Sequence, residues 1–405
     1  ALPVMLSESI KFSPFLTPNC PLHVGIAAPI YLPLLSDYLD NADAIEVEGM
    51  GGFSVTYLVR ALLSLGVKVS IYTLDPRQAK PLLFEGSQLK VYCGHFRKHG
   101  RMKDLMRLER KQLEDFMAVD DPDLIHAHWT YEYAWAAIAS GKPNLITVRD
   151  WSPAILSYHR DLYRVGRFLM DRVVMRKGGG FSVNSPYLYD KVRRVTKQKV
   201  LLTPNAIPAE WFLKYDKKRS STFEIVSINN GFRGRKNVAR LIEAFALVRK
   251  EFSASRLTLI GHAHELGGEA YLWAQERDLL QNISFKGLLS NSEIMDILDV
   301  SDLLAHPALE ESFGMTLVEA MARKVPVIGG QSSGAVPWVL NQGRAGKLVD
   351  VTDPSAIAAG ILAIGRNEAL WARYSTSGYQ HAKDVFHATT VSEQLIELYN
   401  HIIQN

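Results

Sequence analysis

Cysteine is nearly absent: Cys20 and Cys93 are the only two in 405 residues. A disulfide framework is not expected, and the pair reads as ordinary thiols in a reducing compartment. No uninterrupted apolar run of about 18 residues occurs, since even the opening ALPVMLSESIKFSPFLTPNC is broken by charge and proline. No membrane-spanning segment is expected, and the location is read as cytoplasmic, with peripheral contact at the inner membrane surface as its variant. Low-complexity tracts and internal repeats are missing as well, so no repeat architecture is indicated. What is present is a globular composition, 47% hydrophobic and 22% charged. The chain is longer than the roughly 250–300 residues at which single cores stop growing, and two domains are expected.

The net charge of +4 is uneven. Residues 1–200 hold 26 Lys and Arg against 20 acids, whereas 201–405 hold 20 against 22. Within the basic half, RKHGRMKDLMRLERK (97–111) has seven basic and two acidic residues, and 159–199 has eleven against three. Both interleave basic residues with apolar ones at helical intervals. That pattern fits a solvated helix face backed by core, and it also fits a helix lying on anionic lipid or an acidic substrate.

Short apolar runs alternate with helix-length amphipathic segments, which predicts an α/β fold with parallel sheets and crossover helices. LHVGIAA (22–28), VKVSIYTL (67–74), DLIHAH (123–128) and NLITVRD (144–150) read as strands of the first half. FEIVSI (223–228), RLTLIG (256–261), NISFKG (282–287), DLLAHP (302–307) and VPVIGG (325–330) repeat the scheme, each followed by a helical stretch. TPNAIPAEWFLKYDKKRSST (203–222), with two prolines and a charge run, is the natural joint. Two doubly wound, Rossmann-like sheets in tandem are expected: an N-terminal domain of 1–203 and a C-terminal one of 204–384, with ligands bound in a cleft outside the carboxyl ends of the strands.

EESFGMTLVEAMARKVPVIGG (310–330) sets Glu311 and Glu319 eight positions apart. The run reads as a turn, a helix from about Met315 to Arg323, and a strand. Glu311 then sits on the turn and Glu319 on the helix. The amides of Phe313, Gly314 and Met315 would be unpaired donors at the positive end of the helix dipole, suited to phosphate. Gly314 lets a ligand approach the backbone. The flanking carboxylates would accept hydrogen bonds from hydroxyls, with sugar as the obvious source. Alternatively, TLVE (316–319) is a capping box and Glu311 is merely exposed.

On these residues the chain resembles the retaining nucleotide-sugar glycosyltransferases of the GT-B fold, family 4, over nearly its whole length. In that family an E-x7-E motif opens a helix of the second domain, as Glu311 and Glu319 do here. The resemblance implies that Glu311 touches the donor sugar, that the amides of Phe313 to Met315 contact sugar and diphosphate, and that Glu319 holds the ribose hydroxyls. GMGGFSVTYLVRALLSLGVKVSIYT is similar to the first-domain glycine loop and helix, DLIHAHW to the acceptor-side strand, TPNAI to the interdomain turn and FRGRKN to the phosphate clamp. It further implies two domains facing across the cleft, domain closure about 203–222, and a C-terminal helix, about 385–405, packed back on the first domain.

The clamp also has its own logic, because fixed cations aimed at a departing diphosphate stabilise the charge that grows there. Arg233, Arg235 and Lys236 stand on one loop, and Arg233 with Lys236 is the expected pair; a solvated charge cluster is the alternative. Gly51 and Gly52 would let their loop lie against donor phosphate or acceptor. GMGGFS (49–54), with Asp75 ending the next strand, nearly spells a dinucleotide fingerprint, although its third glycine is Ser54.

Where many relatives carry a histidine near the acceptor, this chain has Arg149. Arg149 pairs an acceptor phosphate or carboxylate, Asp150 orients an acceptor hydroxyl, or the two form a structural ion pair. In SSGAVPWVL (332–340), Trp338 stands where the family has an acid. His126 and His128 share one strand face but lack a third metal ligand, so His128 is read as an acceptor-side histidine. DPD (121–123) reads as a turn.

The expected activity is transfer of a sugar, with retained configuration, from a nucleoside-diphosphate sugar (a UDP-sugar by family frequency) to a hydroxyl of a glycan, lipid-linked or small-molecule acceptor. No cofactor and no metal are expected, the nucleotide sugar being a co-substrate. No nucleic-acid partner is expected; peripheral membrane contact would run through the basic N-terminal domain. The alternatives are a non-catalytic protein of the same fold that binds a nucleotide sugar or anionic polymer, and a nucleotide-sugar epimerase.

Overall fold

The computed structural model describes residues 22–40 and 47–404. Cys20 lies outside the described residues. The chain forms two compact units, one running to Ala206 and resuming at Ala388, the other Ile207–His387. The division between Ala206 and Ile207 lies inside the stretch 203–222.

The first unit is built on eight strands: β1 (His23–Ala27), β2 (Lys68–Asp75), β3 (Leu82–Glu85), β4 (Leu89–His95), β5 (Leu124–His128), β6 (Asn144–Val148), β7 (Phe181–Val183) and β8 (Val200–Leu202). Their order is β3-β4-β2-β1-β5-β6-β7-β8. All neighbours are parallel except β3, which returns antiparallel on β4. Strand β2 is therefore followed by a strand, not by the helix expected there. The central strands are nearly unbroken apolar runs because helices cover both faces of the sheet. The helices are α1 (Phe53–Ser64), α2 (Arg107–Asp120), α3 (Glu132–Ala139), α4 (Ser152–Tyr158), α5 (Leu162–Lys177) and α6 (Pro186–Val192).

The second unit has six strands, all parallel: β9 (Phe223–Ile228), β10 (Ser255–Ile260), β11 (Ile283–Gly287), β12 (Leu303–His306), β13 (Val327–Gly330) and β14 (Lys347–Val349). Their order is β11-β10-β9-β12-β13-β14. The chain winds outward from β9 in one direction through β10 and β11, then crosses back to lay β12 on the other side of β9. The loops after β9 and β12 consequently diverge at a topological switch point, where doubly wound sheets open a crevice. The helices are α7 (Val238–Glu251), α8 (Glu269–Gln275), α9 (Asn291–Val300), α10 (Met315–Ala322), α11 (Val336–Val339), α12 (Pro354–Gly365) and α13 (Glu368–Phe386). Where the chain enters and leaves this unit its two passages pair: the Ile207 amide donates to the Phe386 carbonyl at 2.8 Å, and Ile207 bridges His387.

The last helix, α14 (Ala388–Gln404), belongs to the first unit. Val391, Leu395, Leu398 and Tyr399 join the core that α1 and β1 build. Its 3.6-residue apolar repeat supplies a face that the sheet would otherwise leave uncovered.

The basic stretch 97–111 is drawn largely into the fold. Arg97 binds Asp104 (2.8 Å) and the buried Glu109 (2.6 Å). Arg101 stacks on Phe96 and Tyr163, Arg110 on Trp135, and Lys111 pairs with Asp115. Among the described residues no helix is long and apolar enough to cross a membrane. Cys93 is a free, buried thiol on β4.

Candidate functional site

The loops leaving β9 and β12 bring opposite charges together. Helix α10 opens at Gly314, whose φ of 92° lies in the left-handed region and which carries no side-chain cap. A Cβ there would stand 2.7 Å from Leu317 Cδ1, so only glycine fits both the turn and the packing. The amides of Phe313 and Gly314 donate to no acceptor among the described residues. The Phe313 ring is buried edge-on against Phe386 and Trp338, so this residue offers its backbone rather than its side chain. Trp338, at the position of the family's acid, completes that aromatic cluster.

Glu311 faces three basic groups. Lys236 Nζ lies 2.9 Å from its Oε2, Arg235 Nη1 3.7 Å from its Oε1, and His306 Nε2 3.4 Å from its Oε2, the last too poorly aligned for a hydrogen bond. Burial pushes the Glu311 carboxyl up, but Lys236, His306 and Arg235 together outweigh it and hold the group well below the usual carboxylate range. The basic loop is fixed from below: Asn237 Nδ2 donates to the carbonyls of Pro307 (3.0 Å) and Val351 (2.8 Å), and the Leu309 amide to the Arg235 carbonyl (2.8 Å).

Arg233 does not join this cluster. Its side chain is 71% exposed and pairs with Glu269. Of the expected Arg233–Lys236 pair only Lys236 stands beside Glu311; Gly234, with φ of 62°, turns the chain between the two arginines, and Arg235 is the one on the Glu311 side. His306, the last residue of β12, was not singled out from the sequence; its place at the carboxyl end of a strand adjoining Glu311 was the available signal.

Glu319 lies one turn into α10, half-buried, and its carboxyl makes no hydrogen bond or ion pair to any described residue. Burial alone raises it to about 7. The capping-box alternative at 316–319 is not realised, since α10 begins at Met315 and its start is uncapped by any side chain. A capping box does form at Ser290 and Glu293 on α9.

In the first unit, Gly51 and Gly52 have φ of 84° and 80°, and Gly52 opens α1. A Cβ on Gly52 would meet the Pro29 carbonyl at 2.1 Å. The dinucleotide reading fails here. Buried Asp75 accepts hydrogen bonds from the Arg77 amide (2.7 Å), Arg77 Nη2 (2.8 Å) and the Gly49 amide (3.2 Å), so it braces the glycine loop and has no oxygen to spare for a ribose.

Arg149 and Asp150 leave β6 into separate hollows and do not pair with each other. Arg149 donates from Nε to His128 Nδ1 (3.1 Å) and from Nη1 to Ser54 Oγ (3.0 Å) and Asn205 Oδ1 (2.6 Å). Burial pulls its guanidinium down to about 9, still protonated at neutral pH. Asp150 accepts from the Tyr131 hydroxyl (2.8 Å) beside a hollow lined by Ser152, Tyr163 and Arg167. His126 is spent internally, on Tyr399 and Thr147, both at 2.6 Å. Burial and neighbouring positive charge keep both histidines neutral. No group of three or more His, Cys, Asp or Glu among the described residues is placed to hold a metal ion. Asp121 and Asp123 of the DPD turn cap α2 and accept from the His23 amide.

Two Rossmann-like units, the second with an acid–cation cluster at its switch point, define a protein of the GT-B class. Residues 51–211 match Glycosyltransferase Family 4 and residues 212–381 match Glycosyl transferases group 1. The chain belongs to the family 4 glycosyltransferases of GT-B fold. It is 30% identical over 166 residues to the phosphatidyl-myo-inositol mannosyltransferase of Mycobacterium leprae, a match covering 41% of this chain and 43% of that one. The matched stretches span less than half the length of the first curated relatives. The fold is similar to that of sucrose-phosphate synthase from Thermosynechococcus elongatus, with a TM-score of 0.76 at 18% identity, covering 95% of this chain and 99% of that one. It is also similar to Anabaena HepE solved in complex with UDP-glucose, with a TM-score of 0.67 at 15% identity over 94% of this chain and 100% of that one.

Proposed function

We propose that the protein is a retaining glycosyltransferase that moves a sugar from a nucleoside-diphosphate sugar to an acceptor hydroxyl. The observation that carries this reading is the Glu311–Lys236–Arg235 cluster beside the open amides of Phe313 and Gly314. Sugar hydroxyls donate to Glu311, which its cations keep ionised. As the glycosidic C–O bond breaks, charge grows on the diphosphate oxygen, and Lys236, Arg235 and the amides at the start of α10 stabilise it. The departing phosphate oxygen takes the acceptor's proton on the face it leaves, so configuration is retained with no enzyme nucleophile and no metal. Glu319, lacking an internal partner, accepts from the ribose hydroxyls. A UDP-sugar is favoured as donor by the likeness to HepE, whose complex holds UDP-glucose.

Incubation with a panel of nucleotide sugars, following nucleoside diphosphate release, tests the reading. Release that Glu311→Ala abolishes supports it. Binding without turnover under every acceptor favours the non-catalytic alternative, and a rearranged free sugar the epimerase.

A lipid-linked acceptor is the reading we favour on the other side. Leu162, Val165 and Leu169 lie at i, i+3 and i+7 on α5 and are 87%, 40% and 48% exposed, with Arg176 and Lys177 ending the helix. The relative from M. leprae bears a phosphatidyl-inositol in its name. Co-sedimentation with anionic vesicles that Leu162→Glu and Leu169→Glu abolish is the expected result; absence of co-sedimentation by the unaltered protein removes the reading.

A further inference from the structure

Beyond the end of β6 lies a hollow of about 170 Å³, contained within the first unit. Its wall takes Asp150 and Ser152 from the chain entering α4, and Tyr163, Arg164 and Arg167 from α5. The polar groups are of both kinds. Asp150 can only accept and the arginines can only donate, whereas the Ser152 hydroxyl, buried and without a partner, can do either. A hydroxyl enclosed in that way costs free energy that a bound polar atom recovers. The charges, by contrast, are already matched. Arg164 donates to Asp161 at 2.7 Å. Arg167 lies with its Cζ 3.6 Å from the centre of the Tyr131 ring and donates from Nη1 to the Tyr163 hydroxyl at 2.8 Å. Burial pulls the Arg167 guanidinium down, but Glu132, Tyr131, Tyr163 and Asp150 outweigh it and hold it above the usual arginine range. An anion entering here would face Asp150 and find each cation answered by a carboxylate. A neutral ligand meets no such penalty. One hydroxyl of a hydroxylated ring can donate to Asp150 while the next accepts from Arg167, which has donors beyond the one that Tyr163 takes, and Ile155 offers apolar surface to the ring's C–H groups. The hollow has the room of roughly five or six water molecules at ~30 Å³ each, about that of one six-membered ring with its hydroxyls and too little for a nucleotide.

We propose that this hollow binds one neutral, hydroxylated six-membered ring, a monosaccharide or a cyclitol, with Asp150 accepting from one hydroxyl and Arg167 and Ser152 holding its neighbours. Assignment of that ring to the acceptor rests on the transfer reading above; the binding itself does not. Arg149, spent on His128, Ser54 and Asn205, takes no part in it. Tyr163 and Arg167, one turn apart, lie on the side of α5 away from the exposed Leu162, Val165 and Leu169, so that one helix separates a polar ring site from an apolar surface.

The test is a titration of the full chain, with its isoleucine methyl groups ¹³C-labelled, with methyl α-glucopyranoside, methyl α-mannopyranoside and myo-inositol, reading the δ1 methyl of Ile155. Inorganic phosphate is titrated in parallel. At least one ring is expected to shift the Ile155 methyl saturably, in the unaltered protein and in Glu311→Ala alike, and phosphate should leave it in place. Affinity should fall at least tenfold in Asp150→Asn. Three rings that all leave Ile155 unmoved overturn the proposal, as does phosphate binding more tightly than any of them, which would make the hollow an anion site. A response that vanishes in Glu311→Ala and survives in Asp150→Asn overturns it too, since the ring would then sit beside the second unit's cations. Should Asp150→Asn not fold, the unaltered protein and Glu311→Ala still decide it. If a ring binds here while no nucleotide sugar is ever turned over, the transfer reading fails and the ring site stands. If transfer occurs and its acceptor leaves the Ile155 methyl unmoved at saturation, the ring is not the acceptor's.

Discussion

Lys236 Nζ stands 2.9 Å from Glu311 Oε2, and both side chains are 15% exposed. A pair so enclosed is coupled: removing the cation leaves a carboxylate facing only Arg235 and His306 at longer range. Lys236→Ala is expected to lower unfolding free energy by about 2–3 kcal/mol, somewhat less than for a wholly buried pair. Adding Glu311→Gln should recover part of that loss. Urea denaturation of the two single variants and the double variant measures it. Nucleoside diphosphate release by Lys236→Ala should fall by roughly a hundredfold or more, the loss typical of a missing charge stabiliser.

The two arginines flanking Gly234 should behave oppositely. Arg233, outward and paired with Glu269, is worth about 0–1 kcal/mol as a surface ion pair, so Arg233→Ala should change donor turnover little. Arg235→Ala, which removes a cation 3.7 Å from Glu311, should cut kcat/KM by about tenfold or more. Equal effects from both would show that the loop rearranges around the donor.

Glu319 gives the protein a pH signature. Its carboxyl is raised by burial to about 7, against an unfolded value near 4.5. Between those values the folded chain holds the extra proton, so this group's contribution to stability declines as pH rises through that window and levels off above it. At about 1.4 kcal/mol per unit, the full decline over that window is roughly 3.5 kcal/mol. The difference in unfolding free energy between Glu319→Gln and the unaltered protein, followed from pH 5 to pH 8, should grow by that order. A flat difference would mean that the carboxyl is solvated.

Gly314→Ala should damage fold and site together. Its φ of 92° is strained for any side chain, and the new methyl would press on Leu317. A loss of about 1–2 kcal/mol is expected from the backbone conformation alone, before packing strain. Donor affinity, measured by titration with a nucleoside diphosphate, should fall more than it does in Ala335→Gly, a neighbouring backbone change that leaves α10's start intact.

Much of this was legible from residue pattern because the strands that build the site are buried on both faces and so read as apolar runs: β9 is FEIVSI and β12 ends LLAH. The acid at 311 and the lysine at 236 could be paired from their places at strand ends. Less legible were β7 and β8, three residues each, too short for any period to show. The antiparallel β3 was hidden because LLFE at a sheet edge is exposed and lacks alternation. The choice of Arg235 over Arg233 turned on one left-handed glycine, a backbone property that carries no signature in side-chain type. The Arg149–His128 contact joins the ends of two strands, and only their register (Ile125 opposite Asn144, His128 opposite Thr147) brings the two side chains within reach.

The hydrogen bond between Ile207 and Phe386 makes the second unit a cassette whose two termini meet. Such a segment is expected to fold when produced by itself, keeping the Glu311–Lys236–Arg235 cluster that lies wholly within it. The first unit has no such freedom. Cut at Ala206 it would lack Tyr399, leaving the Nδ1 atom of His126 bare and the groove for Leu395 empty. Genetic dissection of this chain is therefore asymmetric: the middle can live without the ends, but the ends need one another.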